Sequence, residues 1–443
     1  MSHPSSASKH PKELWLLALT ELCERFAFWG VGNLLVIFLI EYYQVPGDKA
    51  SQIYGIFTGF AAFLPIVGGW IADRWRHQLP MLLGAVMNAG GCFLLASGIE
   101  ELFYVALFII CCGYGIFTPS ILAILGHTYR HKPALREAGF SIYYASINVG
   151  VFLALLTLGI SAQYYGWRVA FAIAGAVQTL GLIPLLCQIA YHKELMASLQ
   201  TQQKQIHLQK HPLTAVDKQR IWVIAIFFFV SILFWAAYNQ GFSSMEIFVH
   251  SFMNKTVAGY SLPDGVFLSS ESFFLILLAP LLAFLYAWLQ KKKWDPSPAV
   301  KTALSLFAMA ACFWVMVIGS KQIPSAATSA SVSYTYILVA YFLMAVAEML
   351  LAPIGLAMVS DIAPPRYTAL AIGMWYVCVG IAFFSGGMIA SLMDNFRSLS
   401  QFFSLFVLSS AVPGVILWLL ARKITKMSHL HMHRHVAPDQ ITL

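Results

Sequence analysis

Thr20-Glu21-Leu22-Cys23-Glu24-Arg25-Phe26 places three ionisable side chains inside an apolar run that extends from Leu14 to Tyr43. The spacing puts Glu21, Glu24 and Arg25 on one helical face. The run is long enough to cross a bilayer, where a carboxylate is costly unless it pairs or lines a wet cavity. Arg25 can bridge Glu21 one turn behind it and leave Glu24 for another partner. The stretch therefore reads as a functional site within a membrane, against the plainer alternative of an ion pair that only sets helix packing.

The rest of the chain agrees. Of its 443 residues, 59% are hydrophobic and 10% charged, and mean hydropathy is +0.73, far from a soluble domain. Apolar runs of spanning length recur near 14–43, 50–73, 79–98, 102–127, 138–161, 167–190, 219–250, 262–292, 298–319, 333–361, 366–392 and 400–425, predicting an all-α membrane protein of about twelve helices. Residues 1–13 lack a cleavage pattern and read as a cytoplasmic N-terminus. About 21 of the 27 Lys and Arg residues fall in the tails and alternate loops, which places both termini in the cytoplasm of a plasma (inner) membrane protein. The polar stretch 191–218 divides an N-terminal bundle, 14–190, from a C-terminal bundle, 219–425, with a tail at 426–443. Two six-helix bundles joined by a polar connector are the arrangement of a secondary transporter that works by alternating access.

Other classes fit less well. The net charge of +8 is dispersed between apolar runs, so nucleic acid is not an expected partner. The seven cysteines lie in apolar runs without metal-ligand spacing and read as buried small hydrophobes. The alternating histidines His429, His431, His433 and His435 read as a solvated tail. Neither a phosphate-binding loop nor a catalytic constellation is present in the sequence, so the chain is not expected to be an enzyme. Its expected partners are lipid, protons and a small peptide or amine, with no cofactor beyond the proton gradient, and it is expected to work as a monomer.

Several motifs carry a resemblance. Gly68-Gly69-Trp70-Ile71-Ala72-Asp73-Arg74 resembles the signature loop of the major facilitator superfamily, although Arg76 and His77 depart from it. Trp167-Arg168 is a weaker echo. Glu21-x-x-Glu24-Arg25-Phe26 resembles the first-helix motif of the proton-dependent oligopeptide transporter family. Gly139-Phe140-Ser141-Ile142-Tyr143-Tyr144-Ala145-Ser146-Ile147-Asn148-Val149-Gly150 is similar to its fifth-helix signature. Phe234-Trp235-Ala236 with Asn239-Gln240, Ala279-Pro280, Glu348 through Gly355 and Gly373-Met374-Trp375 resemble helices seven, eight, ten and eleven. On these matches the chain is identified as a divergent member.

What the resemblance implies is a proton-coupled symporter of di- and tripeptides. Glu21, Glu24, Arg25, Glu271 and Glu348 would couple protons; Trp29, Tyr143, Asn148, Asn239, Gln240, Glu271, Glu348 and Trp375 would meet substrate; Gly69, Asp73 and Arg74 would be structural. Phe28, Tyr144, Trp235 and Tyr238 are further aromatics of these stretches.

The departures change the expected substrate. Gly32 and Thr118 stand where the family has Arg and Lys, Phe28, Trp29 and Ala62 stand where it has Tyr, and Glu271-Ser272 stands where it has Asn-Pro. Four acids, Glu21, Glu24, Glu271 and Glu348, thus face Arg25 within the spans. Like charges and desolvation both favour a neutral carboxyl, so Glu271 or Glu348 is expected to hold a proton. A pocket of this charge suits a basic or carboxyl-masked peptide or a non-peptide amine. The alternatives are proton-driven exchange of an organic cation and a sensor that does not transport. Glu271 could also sit near the membrane face, and Pro353 is expected to break or kink helix ten.

Overall fold

The computed structural model describes residues 10–75, 78–129, 133–191, 214–292, 294–324, 327–364 and 368–428. Arg76, His77, most of the polar connector and the histidine-bearing tail lie outside the described residues, as do the side chains of Asp73 and Pro353.

Within a bilayer every backbone N–H and C=O must find a partner in its own segment, which leaves the helix as the element available to each apolar run. Among the described residues twelve spans result. The first is Lys12–Gly32 continued by Leu35–Glu41. Gly47–Arg74, Gln78–Ser97, Phe103–Thr128, Pro133–Tyr165 and Trp167–Tyr191 complete the first half. The seventh is Ala215–Tyr238, followed by a 3-10 turn at Asn239–Phe242 and the short helix Ser244–Phe252. Asp264–Lys291, Pro298–Ser320, Thr335–Ile362, Thr368–Ala390 and Leu399–Ser428 are the eighth to twelfth. Large apolar side chains such as Phe284 and Leu419 are about three-quarters exposed (73% and 74%), while Glu21, Glu24 and Gln240 are fully buried. The molecule is apolar outside and polar within, as a lipid-facing bundle requires.

Three helices differ in extent from the sequence reading. The first span breaks at Asn33 and Leu34 with a bend of 43°, whereas helix ten runs unbroken from Thr335 to Ile362 through position 353. The seventh begins earlier than its apolar run because Thr214 and Asp217 form a capping box: Thr214 Oγ1 accepts from Asp217 N at 3.1 Å, and Thr214 N donates to Asp217 Oδ2 at 2.9 Å. The charges of that first turn hide the true start from a hydropathy reading. Of the cysteines, Cys187 is exposed and Cys112 partly so, contrary to expectation, while the other five are buried.

The first span packs on the fifth and sixth, and the ninth on the tenth and twelfth, while one buried apolar cluster runs from Phe26 to Ile424 through both halves. The halves meet where the second span crosses the eleventh and the fifth crosses the eighth. Gly55-x-x-x-Gly59 is a helix contact, as its spacing suggests. A Cβ on Gly55 would lie 2.7 Å from the Cα of Gly387, and one on Gly159 would lie 2.8 Å from the Cα of Gly265. Helices in lipid gain little from hydrophobic association, so close backbone approach is what holds such crossings. The two crossings lie at the end of the molecule that carries residues 41–59, 159–168, 244–265 and 384–395, and they seal it. Gly387→Leu is expected to force this seal apart, with an over-packing cost of about 1–3 kcal/mol; thermal unfolding in detergent, compared with wild type, measures it.

Candidate functional site

Two buried polar clusters lie inside the bundle. The first is built on the opening motif. Arg25 Nε donates to Glu21 Oε1 at 2.6 Å and lies 3.3 Å from Glu24 Oε2. Arg25 Nη2 donates to Thr118 Oγ1 at 3.2 Å, and the guanidinium sits 4.9 Å above the Tyr114 ring. Glu24 Oε1 accepts from Asn88 Nδ2 at 3.3 Å. Helix five comes close because position 150 is glycine: a Cβ there would meet Leu22 O at 2.5 Å and Arg25 Cβ at 3.3 Å. That approach sets Tyr143 beside Glu21, its hydroxyl short of a hydrogen bond. One cation thus serves two carboxylates, and a threonine hydroxyl stands where the related family has a second cation.

The second cluster joins the two halves. Tyr144 OH of helix five donates to Glu348 Oε1 of helix ten at 3.1 Å. Tyr238 OH of helix seven donates to Glu271 Oε1 of helix eight at 3.1 Å, and Ser272 Oγ donates to Glu271 Oε2 at 3.2 Å. The carboxyl groups of Glu271 and Glu348 are near neighbours that interact electrostatically. Glu271 is 1% exposed and Glu348 8%, which rules out the surface position considered for Glu271. Carboxylates this close repel each other when both are ionised.

The other expected residues separate by their surroundings. Trp29 packs edge-on to Tyr114 and Phe383, at centroid distances of 6.3 Å in each case. Trp235 meets the same Phe383 at 6.1 Å, so these rings form an aromatic wall between the halves. Asn148 Nδ2 donates to Tyr144 O at 3.1 Å within its own helix and thereby steadies Tyr144. Gln240 spends its groups on packing: Nε2 donates to Ala236 O at 3.1 Å and to Gly386 O at 2.9 Å, and Oε1 accepts from Ser244 Oγ at 2.8 Å. Asn239 lies against Gly386, with Oδ1 lacking a hydrogen-bond partner. Trp375 covers Gly355. Phe28 stacks on Tyr114 at 4.0 Å and on Phe57 at 5.5 Å. A Cβ on Gly32 would stand 3.2 Å from Phe57, so a long side chain there would displace that stack. In the signature loop Gly68, rather than Gly69, makes the close approach to Gly115, and Arg74 lies 3.7 Å above the Trp70 ring.

Two six-helix halves around buried acids define a multi-pass membrane protein of the transporter class. Residues 17–333 match the Major Facilitator Superfamily, and the chain belongs to that family. The peptide transporter YePEPT of Yersinia enterocolitica is 27% identical over 487 aligned positions, covering 94% of this chain and 95% of the relative. The dipeptide and tripeptide permease A of Proteus mirabilis is 25% identical over 478 positions, covering 96% of this chain and 97% of that one. A solved structure of a peptide transporter POT in complex with sulfate superposes with a TM-score of 0.83 at 23% identity, over 94% of this chain and 96% of that one. The first- and fifth-helix motifs pointed to the same proton-dependent oligopeptide transporter branch.

Sequence reasoning passed over some of these residues. Tyr144 and Tyr238 were set aside as ordinary span aromatics, yet they hold the acid pair; nothing but their one-turn distance from Asn148 and Phe234 marked them. Glu246, fully buried in the short helix after the seventh span, lies inside the apolar run 219–250 and is a further interior acid beyond the four.

Arg25→Ala leaves two acids buried without a cation and is expected to cost about 3–5 kcal/mol. Thr118→Val removes one acceptor and is expected to cost about 1–3 kcal/mol. Chemical or thermal unfolding of the purified variants checks both values and their order.

Proposed function

We propose that this chain is a proton-coupled symporter of peptides or peptide-like solutes, working by alternating access. The observation that carries the reading is the Tyr144–Glu348–Glu271–Tyr238 linkage, because it spans both halves through a shared proton site. With the halves joined at this level, the carboxyl pair is stable with one proton. An ammonium group entering beside it meets one carboxylate while the other keeps its proton, so the loaded pair closes with no bare charge and substrate and proton cross together. The opening motif supplies a second proton site, in which Glu21 and Glu24 share Arg25. One chain holds both clusters, so a single copy suffices.

The names of the relatives support peptides as the substrate class. The local chemistry narrows it. Cationic groups for a substrate carboxylate are missing at Gly32, which packs under Phe57, and at Thr118, whose hydroxyl is taken by Arg25. Trp29, Trp235 and Phe383 offer ring faces to a cation. The site therefore favours a basic or carboxyl-masked peptide, and the excess of acids supports exchange of an organic amine as a second reading.

The charge asymmetry of the loops supports an inner-membrane location with both termini cytoplasmic. On that orientation the glycine-sealed end faces outward.

Uptake into proteoliposomes under an inwardly directed proton gradient tests the function, using labelled dialanine, dilysine and an amidated dipeptide. Uptake is expected to require external acid, to collapse with a protonophore and to favour dilysine or the amide. Glu271→Gln and Glu348→Gln are expected to lose gradient-driven accumulation. Their accumulating substrate as wild type does would remove the acid pair from the mechanism, and movement of none of the three by wild type would sink the peptide reading.

A further inference from the structure

Glu246 is a buried acid that neither cluster uses. It is the third residue of the short helix Ser244–Phe252 and is fully buried. Its Oε1 accepts the Ile37 N–H at 3.3 Å across the seam between the halves. That N–H belongs to the first turn of Leu35–Glu41, the piece that restarts the first span after its break, and so has no partner inside its own helix. Oε2 of Glu246 has no hydrogen-bond partner among the described residues.

The surroundings hold no spare cation for it. Tyr54 of the second span and Tyr341 of the tenth face Glu246, and both are almost wholly buried. The nearest charged groups beyond them are two more acids, Glu41 and Asp264. Among the described residues, Lys255 and His250 pair with those acids. Lys255 Nζ lies 2.8 Å from Asp264 Oδ1, and His250 Nδ1 lies 2.8 Å from Asp264 Oδ2 and 3.6 Å from Glu41 Oε1. Trp167 Nε1 donates to the other oxygen of Glu41 at 3.0 Å. An ionised Glu246 would be a bare charge among phenols and like charges, with one backbone N–H as its support. A neutral carboxyl fits: its carbonyl oxygen still accepts from Ile37, and its hydroxyl carries the proton.

We propose that Glu246 is a further proton-carrying residue, one whose protonation permits the glycine-sealed end to close. Closure takes a proton from the water on that side onto the Glu246 carboxyl. Parting of the seam withdraws Ile37, admits water and returns the proton to the same side. Acid on that side therefore favours the closed seam, and alkali favours the open one. This site lies apart from Glu271 and Glu348 and sets when the end shuts. It rests on the alternating-access reading, but it concerns closure alone and needs no substrate.

Hydrogen–deuterium exchange of the full-length protein in nanodiscs tests it, read on the peptide that contains residues 34–43. Wild type and Glu246→Gln are compared at matched pH between about 5.5 and 8.5, a range wide enough to carry a shifted carboxyl through its titration. Glutamine keeps the acceptor for Ile37 and cannot ionise. The two proteins are expected to exchange alike at the acid end. Toward the alkaline end wild type is expected to exchange faster, its excess rising by up to about tenfold per pH unit once the carboxyl ionises. Should the glutamine variant fail to assemble, Glu246→Leu, which can neither titrate nor accept from Ile37, is expected to exchange faster than wild type at the acid end and to show no change of protection with pH. Equal exchange at every pH overturns the proposal. So does a pH dependence of protection, corrected for the intrinsic base-catalysed exchange rate, that persists in both variants, which would assign the switch to His250 and its acids. Because no ligand is added, failure of peptide uptake leaves this result standing, and failure here leaves the uptake result standing.

Discussion

The cost of burying charge away from water is the constraint on which the rest of this structure depends. A soluble enzyme can leave a carboxylate in solvent. Here the acids of the opening motif lie between packed helices, and Arg25 must divide itself between Glu21 and Glu24 with help from Asn88 and Thr118. Glycine at position 150 serves that arrangement, since any larger residue would push helix five away from Leu22 and Arg25. The motifs of helices one and five are thus two sides of one contact.

The second cluster solves the same problem without a cation. Glu271 and Glu348 replace a counter-ion with each other, two phenols and a serine hydroxyl. Acids that interact this closely titrate as a pair rather than singly. Its partners come from helices five, seven, eight and ten, so a change of charge at the pair acts on the relation between the halves rather than on one helix. The Lys and Arg positions that the related family uses are filled here by Thr118 and Gly32, and the structure has repacked around both. Thr118 is engaged by Arg25 and Gly32 is covered by Phe57.

Much was legible in the chain. Apolar runs gave the helices, because lipid leaves the backbone no other partner than itself. The alternation of charged loops and the polar connector indicated two halves, and Glu21, Glu24 and Arg25 were marked as a unit by helical spacing alone. Glu271 and Glu348 stood out as acids within spans. The break in the first span was passed over although Gly32 and Asn33 stand at it, and what no local reading supplies is that the freed Ile37 N–H of the second piece is met by Glu246, more than two hundred residues away. Pro353 suggested a break where the helix runs on.

Sequence by itself determined that this is a twelve-span membrane protein with a carboxylate-rich interior, since burial of ionisable residues in apolar runs is a local property of the chain. Tertiary structure alone decided which acid meets which partner. Tyr144 reaches Glu348, Tyr238 reaches Glu271, Gln240 is spent on helix packing, and Glu246 comes to rest on the backbone of another half. Hydrogen bonds act over about 3 Å, while the residues that make them are up to hundreds of positions apart, so no window of sequence contains them.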